Sequence, residues 1–104
     1  MLFGALVSEP PRISEKFIAT GESWLFSYKT DNLVTYPWSG TNTFIMQGST
    51  TSLVVGSDQD GFGLWFDGNL NQGSTQPVST FNSDCLTKDH DFVIENMECW
   101  SFMH

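Results

Sequence analysis

Apolar and polar positions along this chain alternate with a period of two rather than 3.6. Leu2–Val7, Trp24–Tyr28, Leu33–Tyr36, Thr43–Gln47, Ser52–Val55, Gly63–Phe66 and Phe92–Phe102 are rich in β-branched and aromatic residues, and Gly, Asn, Asp, Ser or Pro punctuates the gaps between them. Each run is predicted to be a strand. Thr30-Asp31-Asn32, Pro37-Trp38-Ser39-Gly40 and Gly48-Ser49-Thr50 have the composition of successive hairpin connections. Only Ser8–Phe17 has room for a short helical turn, and Pro10-Pro11 confine it to the part after the prolines. Asp67 to Asp91 lacks a convincing period, and Leu70, Phe81 and Leu86 are expected to pin it to the body. With no repeat, low-complexity tract or linker, the chain reads as one mainly β domain. The expected architecture is an antiparallel two-sheet sandwich with little helix.

Side-chain parity singles out two acids. Glu22 has the parity of Trp24, Phe26 and Tyr28, and Glu98 that of Phe92, Ile94, Trp100 and Phe102. Both are therefore expected to point toward an aromatic, inward face. A charge so directed needs a partner, and with few basic side chains the backbone N–H groups of loops are the expected one. A second feature is the run from Val54 to Ser74, in which Leu64-Trp65-Phe66 is flanked by glycines and by Asp58, Asp60 and Asp67. The glycines predict tight turns into and out of the strand, with Gly61 or Gly63 in a backbone conformation closed to other residues. Trp65 and Phe66 should face opposite sides and be covered on both. The acids are expected to form an electronegative rim.

Charge and composition narrow the chemistry. The 104 residues include 12 acidic and 4 basic side chains, for a net charge of −8. That argues against nucleic acid or an anionic membrane as partner, because binding there depends on Lys and Arg neutralising phosphates. Asp58, Asp60 and Asp67 do not fit a calcium loop: counted from Asp58, the fifth position is Phe62 and the twelfth is Asn69. The two histidines and the two cysteines, Cys85 and Cys99, do not make a zinc pattern. No G-x-S-x-G elbow is present, and neither cysteine has an electropositive sequence setting; Cys99 is expected to pack inside the last strand. The N-terminus has no basic region followed by a long apolar core, so a soluble cytosolic protein is expected.

Six fragments then stand in a recognisable order: "FGALVSE", "TGESWLFSY", "WSGTNTFIMQG", "SLVVGSDQDGFGLWFDGNLNQGS", "TFNS" and "DFVIENMECWSF". Together they resemble the TLDc domain of oxidation-resistance proteins and of relatives that bind the V-type proton ATPase. The resemblance runs from Phe3 to Phe102, and Gly21, Gly61, Gly63, Trp65, Gly73, Phe81 and Trp100 carry its structural motif. It covers the C-terminal two-thirds of the usual domain; the family's helical N-terminal segment and first strand, expected before Phe3, have no counterpart. This chain departs from the family at Ser57 to Asp60, where a run of glycines is usual, at Asn69, where aspartate is usual, and at Val78, where many members carry cysteine. A family thiol cannot be carried over.

The resemblance implies a protein-interaction domain, without metal or cofactor, that acts in oxidative-stress protection through the V-type proton ATPase. It further implies a cytoplasmic location, with recruitment to vacuolar or lysosomal membranes through that partner and no insertion into the bilayer. The expected partner-binding residues are Glu22, Asp58, Asp60, Asp67 and Glu98. The alternative from another class is a small enzyme or carbohydrate-binding module using Glu22, Glu98 and exposed tryptophans, with the two acids as a catalytic pair.

Overall fold

The computed structural model describes residues 2–29 and 31–99. Two antiparallel sheets make up the body. One contains β1 (Leu2–Leu6), β2 (Trp24–Lys29) and β3 (Asn32–Pro37) in the order β1-β2-β3. The other is a meander of β4 (Met46–Gly48), β5 (Ser52–Asp58), β6 (Gly61–Asp67), β7 (Gln72–Ser74) and β8 (Asp91–Val93) in sequence order. The two-sheet architecture expected from the period is therefore present.

The register explains the first sheet. Leu2 pairs with Tyr28 and Leu6 with Trp24, while Lys29 pairs with Asn32 across a tight turn. Asp31 supplies that turn with φ 63°, a conformation its short polar side chain tolerates. Leu25 and Ser27 are buried, whereas Trp24 and Phe26 are only half-buried and Tyr28 is exposed. The inward face of β2 is thus the opposite of the one expected. Its aromatics point away from the core because the space inside is taken by the Thr75–His90 segment, and Ser27 Oγ donates to Leu86 O at 3.0 Å. Glu22 follows the aromatic parity outward and is exposed in the turn before β2.

Two expected connections have other roles. Pro37-Trp38-Ser39-Gly40 is a crossover between the sheets rather than a hairpin. Ser39 N–H donates to Thr80 O at 2.9 Å and the Trp38 indole N–H to Asn42 O at 2.7 Å. The arc from Val7 to Ser23 contains no helical turn and instead runs beside β4. Ser14 N–H donates to Gly48 O at 2.9 Å and Ile18 N–H to Met46 O at 2.7 Å, so the arc covers that sheet edge. Gly48-Ser49-Thr50 does open the β4–β5 connection, but the ladder of β4 begins only at Met46 rather than at Thr43. β7, inside the stretch without a period, escapes sequence reasoning because only three residues pair.

The last strand is also shorter than expected. β8 ends at Val93 because its partner β7 begins at Gln72; one further bond joins Ile94 N–H to Asn71 O at 2.8 Å. Glu98 and Cys99 lie beyond it and are exposed, so neither belongs to an inward strand face. Trp100 and Phe102 lie outside the described residues.

Leu25, Ile45, Met46, Val55, Leu64, Val78, Phe81 and Leu86 form the core. Phe3 and Phe92 join the two sheets edge to face, with ring centroids 4.9 Å apart. Phe81 and Leu86 pin the long segment as expected; Leu70, with φ 58° and 43% exposure, does not. Leu25→Ala is expected to cost roughly 2–5 kcal/mol by leaving a cavity. Leu33→Ala, at a position 58% exposed, is expected to stay within about 0.5 kcal/mol of the parent. Urea denaturation of the two variants checks the contrast, and similar losses would mean that β3 is packed.

Candidate functional site

The glycine-flanked β5–β6 hairpin and the loops against it concentrate the candidate residues. At its tip, Asp58 Oδ1 accepts from Asp60 N–H at 2.8 Å and Gly61 N–H at 3.2 Å. Asp58 Oδ2 accepts from Ser79 N–H at 2.8 Å, tying the hairpin to the following long segment. The Ser79 amide, and then those of Asp60 and Gly61, hold the Asp58 carboxyl below its ordinary value against the opposing effect of desolvation. At the other end of the hairpin, Asp67 Oδ1 accepts from Asn71 N–H at 2.8 Å and Gln72 N–H at 3.3 Å.

Loop amides were the partners expected for inward acids, and three acids outside that expectation meet them. They are Asp58, Asp67 and Glu9, whose Oε2 accepts from Ala19 N–H at 2.8 Å. The Glu9 carboxyl is held below its ordinary value, first by Arg12, 2.6 Å away, and then by the Ala19 amide. Sequence reasoning missed Glu9 because its contact spans the arc rather than a turn. Asp60 and Glu22 are exposed.

These acids do not form one rim. Ser52 pairs with Asp67 and Asp58 with Gly61, which places Asp58 and Asp67 at opposite ends of the hairpin, roughly 20 Å apart at the rise of a β-strand. Glu22 belongs to the approach to β2, in the other sheet. Among the described residues, no group of three or more His, Cys, Asp or Glu side chains is placed to hold a metal ion.

The glycines serve close approach as much as turning. Gly61, at φ 154°, has the conformation expected at Gly61 or Gly63; Gly56, with φ 78°, has a left-handed one as well, and a Cβ there would meet the Phe81 ring at 2.9 Å. Gly63 is needed for space instead: a Cβ would lie 2.7 Å from Val78 Cγ1 and 3.0 Å from Val55 O. Gly61, at φ 154°, lies against the Gln76 side chain, Gly21 lies beneath the Trp38 ring, and a Cβ on Gly73 would meet Phe92 at 2.5 Å.

Two shallow depressions lie on the surface. One, of about 270 Å³, lies between the arc and the Asp67 end of the hairpin and includes Arg12, Ile13, Leu53, Phe66 and Leu70. The other, of about 650 Å³, lies on β6–β8 beside Trp65. Glu22 and Glu98 line neither of them. Cys85 is half-buried, with Sγ 3.6 Å from both Thr75 O and His90 Nδ1. Cys85 and His90 are five positions apart in sequence, a spacing that gave no signal of the contact.

The TLDc domain model matches residues 1–103. The chain belongs to the TLDc domain family. Nuclear receptor coactivator 7 of Gallus gallus is 41% identical over 101 residues, covering 97% of this chain and 11% of that protein. Oxidation resistance protein 1 of Xenopus tropicalis is likewise 41% identical over 101 residues, covering 97% of this chain and 12% of its own length. The human protein of the latter name is 39% identical over the same span. The chain thus corresponds to about a tenth of the length of each of these relatives. Among its described residues, no helix is long and apolar enough to cross a membrane.

In this TLDc chain the Asp58 carboxylate ties the hairpin tip to Ser79. A carboxyl held low in the folded state stabilises it fully above the unfolded-chain pKa of about 3.9, and that contribution is lost as pH falls through the lower folded-state value. Asp58→Asn is expected to cost about 1 kcal/mol near neutral pH, the bonds being partly screened at the surface, and less at about pH 3, below the unfolded-chain value. Denaturation midpoints at the two pH values check this. Equal losses at both would assign the effect to shape rather than charge.

Proposed function

We propose that this TLDc chain is a non-enzymatic protein-interaction domain in oxidative-stress protection, acting by binding and regulating the V-type proton ATPase from the cytoplasmic side. The observation that carries the stress role is the match to proteins named oxidation resistance protein 1 along 97% of the chain. The ATPase enters from the TLDc resemblance of the motifs. The form of the surface supports a binding role: both depressions are shallow and open, unlike the concave, enclosing sites that small substrates use. A net charge of −8 favours an electropositive face on the partner.

The acids divide the binding face into two kinds of group. Asp58 and Asp67 shape loops, and their removal changes structure as well as charge. Asp60 and Glu22 are exposed and change charge alone. With the purified peripheral sector of the V-type ATPase as partner, the association rate is expected to fall as ionic strength rises. Asp60→Asn with Glu22→Gln should slow association several-fold at low salt with little change in dissociation. Biolayer interferometry across a salt series reads both rates. No association at any salt overturns the proposal, and association insensitive to both salt and substitution removes the acids from the contact.

A further inference from the structure

The outer side of β6, β7 and β8 holds the open trough of about 650 Å³, away from the Asp58 turn. Cross-strand pairing builds it. Trp65 pairs with Ser74 and Ser74 with Asp91, so the three share one row on one face. Gln72 pairs with Val93 in the next row on the same face, and Asp89 extends the acidic side. Phe66, of opposite parity, goes inward with Leu53, so only that side of the strand is covered by the core. Trp65 is half-buried and Val93 is 73% exposed.

The row sets an indole on one side and a carboxylate on the other, two strand spacings or roughly 10 Å apart at the Cα atoms. Asp89 and Asp91 are both exposed. Among the described residues, Lys88, Asp89 and Asp91 enter no ion pair. The apolar floor therefore has two exposed carboxylates along one wall.

We propose that this trough is a docking site for an arginine side chain presented by a basic protein segment. A guanidinium fits the two walls together. Its flat face stacks on an aromatic ring while its N–H fork donates to carboxylate oxygens. Lysine, a compact and strongly hydrated point charge, matches the carboxylates but stacks less well. Val93 and Gln72 accept the aliphatic stem and flanking backbone of the segment. The inference rests on the protein-binding reading above and adds to it a defined contact with defined chemistry.

The test is a nuclear magnetic resonance titration of the whole chain with a blocked Gly-Arg-Gly peptide, its citrulline twin and its lysine twin. The arginine peptide is expected to move the Trp65 indole N–H and the amides of Ser74, Asp91 and Val93. Its affinity should exceed that of the uncharged citrulline twin at least tenfold and that of the lysine twin by a smaller factor. Asp89→Asn with Asp91→Asn should reduce it about tenfold while the spectrum otherwise shows an intact fold, and Val93→Lys should abolish binding. Equal affinity for arginine and citrulline peptides, shifts confined to the Asp58–Gly61 turn, or full affinity in the asparagine variant would each overturn the proposal. The ATPase-binding reading is judged separately. If the wild type binds the peripheral sector but the arginine peptide does not bind the trough, only the trough fails. If the peptide binds and the sector does not, only the named partner fails.

Discussion

The packing of one strandless segment against both sheets governs this structure. From Thr75 to Leu86 the chain crosses the interior with little regular pairing, yet Val78, Phe81 and Leu86 are among its most buried side chains. Backbone without a ladder must find other hydrogen-bond partners when buried. Hydroxyls provide them. Thr75 Oγ1 donates to Gly63 O at 2.6 Å and accepts from Leu86 N–H at 3.1 Å. Thr80 Oγ1 lies 2.9 Å from Ser57 O and 3.1 Å from Ser57 N, while Ser27 holds Leu86 O from the other sheet. Gly56 and Gly63 make room for Phe81 and Val78. Without those small residues the segment could not lie so close.

That constraint reaches the surface. Asp58 links the hairpin tip to Ser79, so its charge is part of the clamp. Thr75 N–H donates to His90 O at 2.8 Å, which places Asp89 and Asp91 next to β7 and Trp65. The same segment therefore fixes the hairpin tip and the acidic wall of the trough. A binding surface held this way loses little loop entropy on association, which favours affinity without large area.

The sequence made the two-sheet class legible because β-branched and aromatic residues concentrate in β1, β2, β3, β5 and β6, between turn-forming residues. It also identified Phe81 and Leu86 as anchors of the long segment. It misjudged the inner face of β2, because hydrophobicity ranks Trp24 and Phe26 above Ser23 and Ser27. The true inner face carries Leu25 and Ser27, and the Ser27 hydroxyl donates to Leu86 O in a segment distant in sequence. For the same reason Glu9, Asp58 and Asp67, which accept from loop amides, were not singled out for that role. The trough was invisible for a further reason: Trp65 and Asp91 meet only through the pairing of β7, a strand of three residues.

Amide hydrogen exchange tests the clamp most directly. If the segment is bolted to both sheets, the N–H groups of Val78, Ser79, Ser83 and Leu86 should exchange as slowly as those of β5 and β6. They should exchange far more slowly than the exposed positions of β3, and Thr75→Val should selectively release Leu86. Fast exchange at those four amides, in a protein whose β5 and β6 stay protected, would show that the segment is a loose cover, and the account of the core would be wrong.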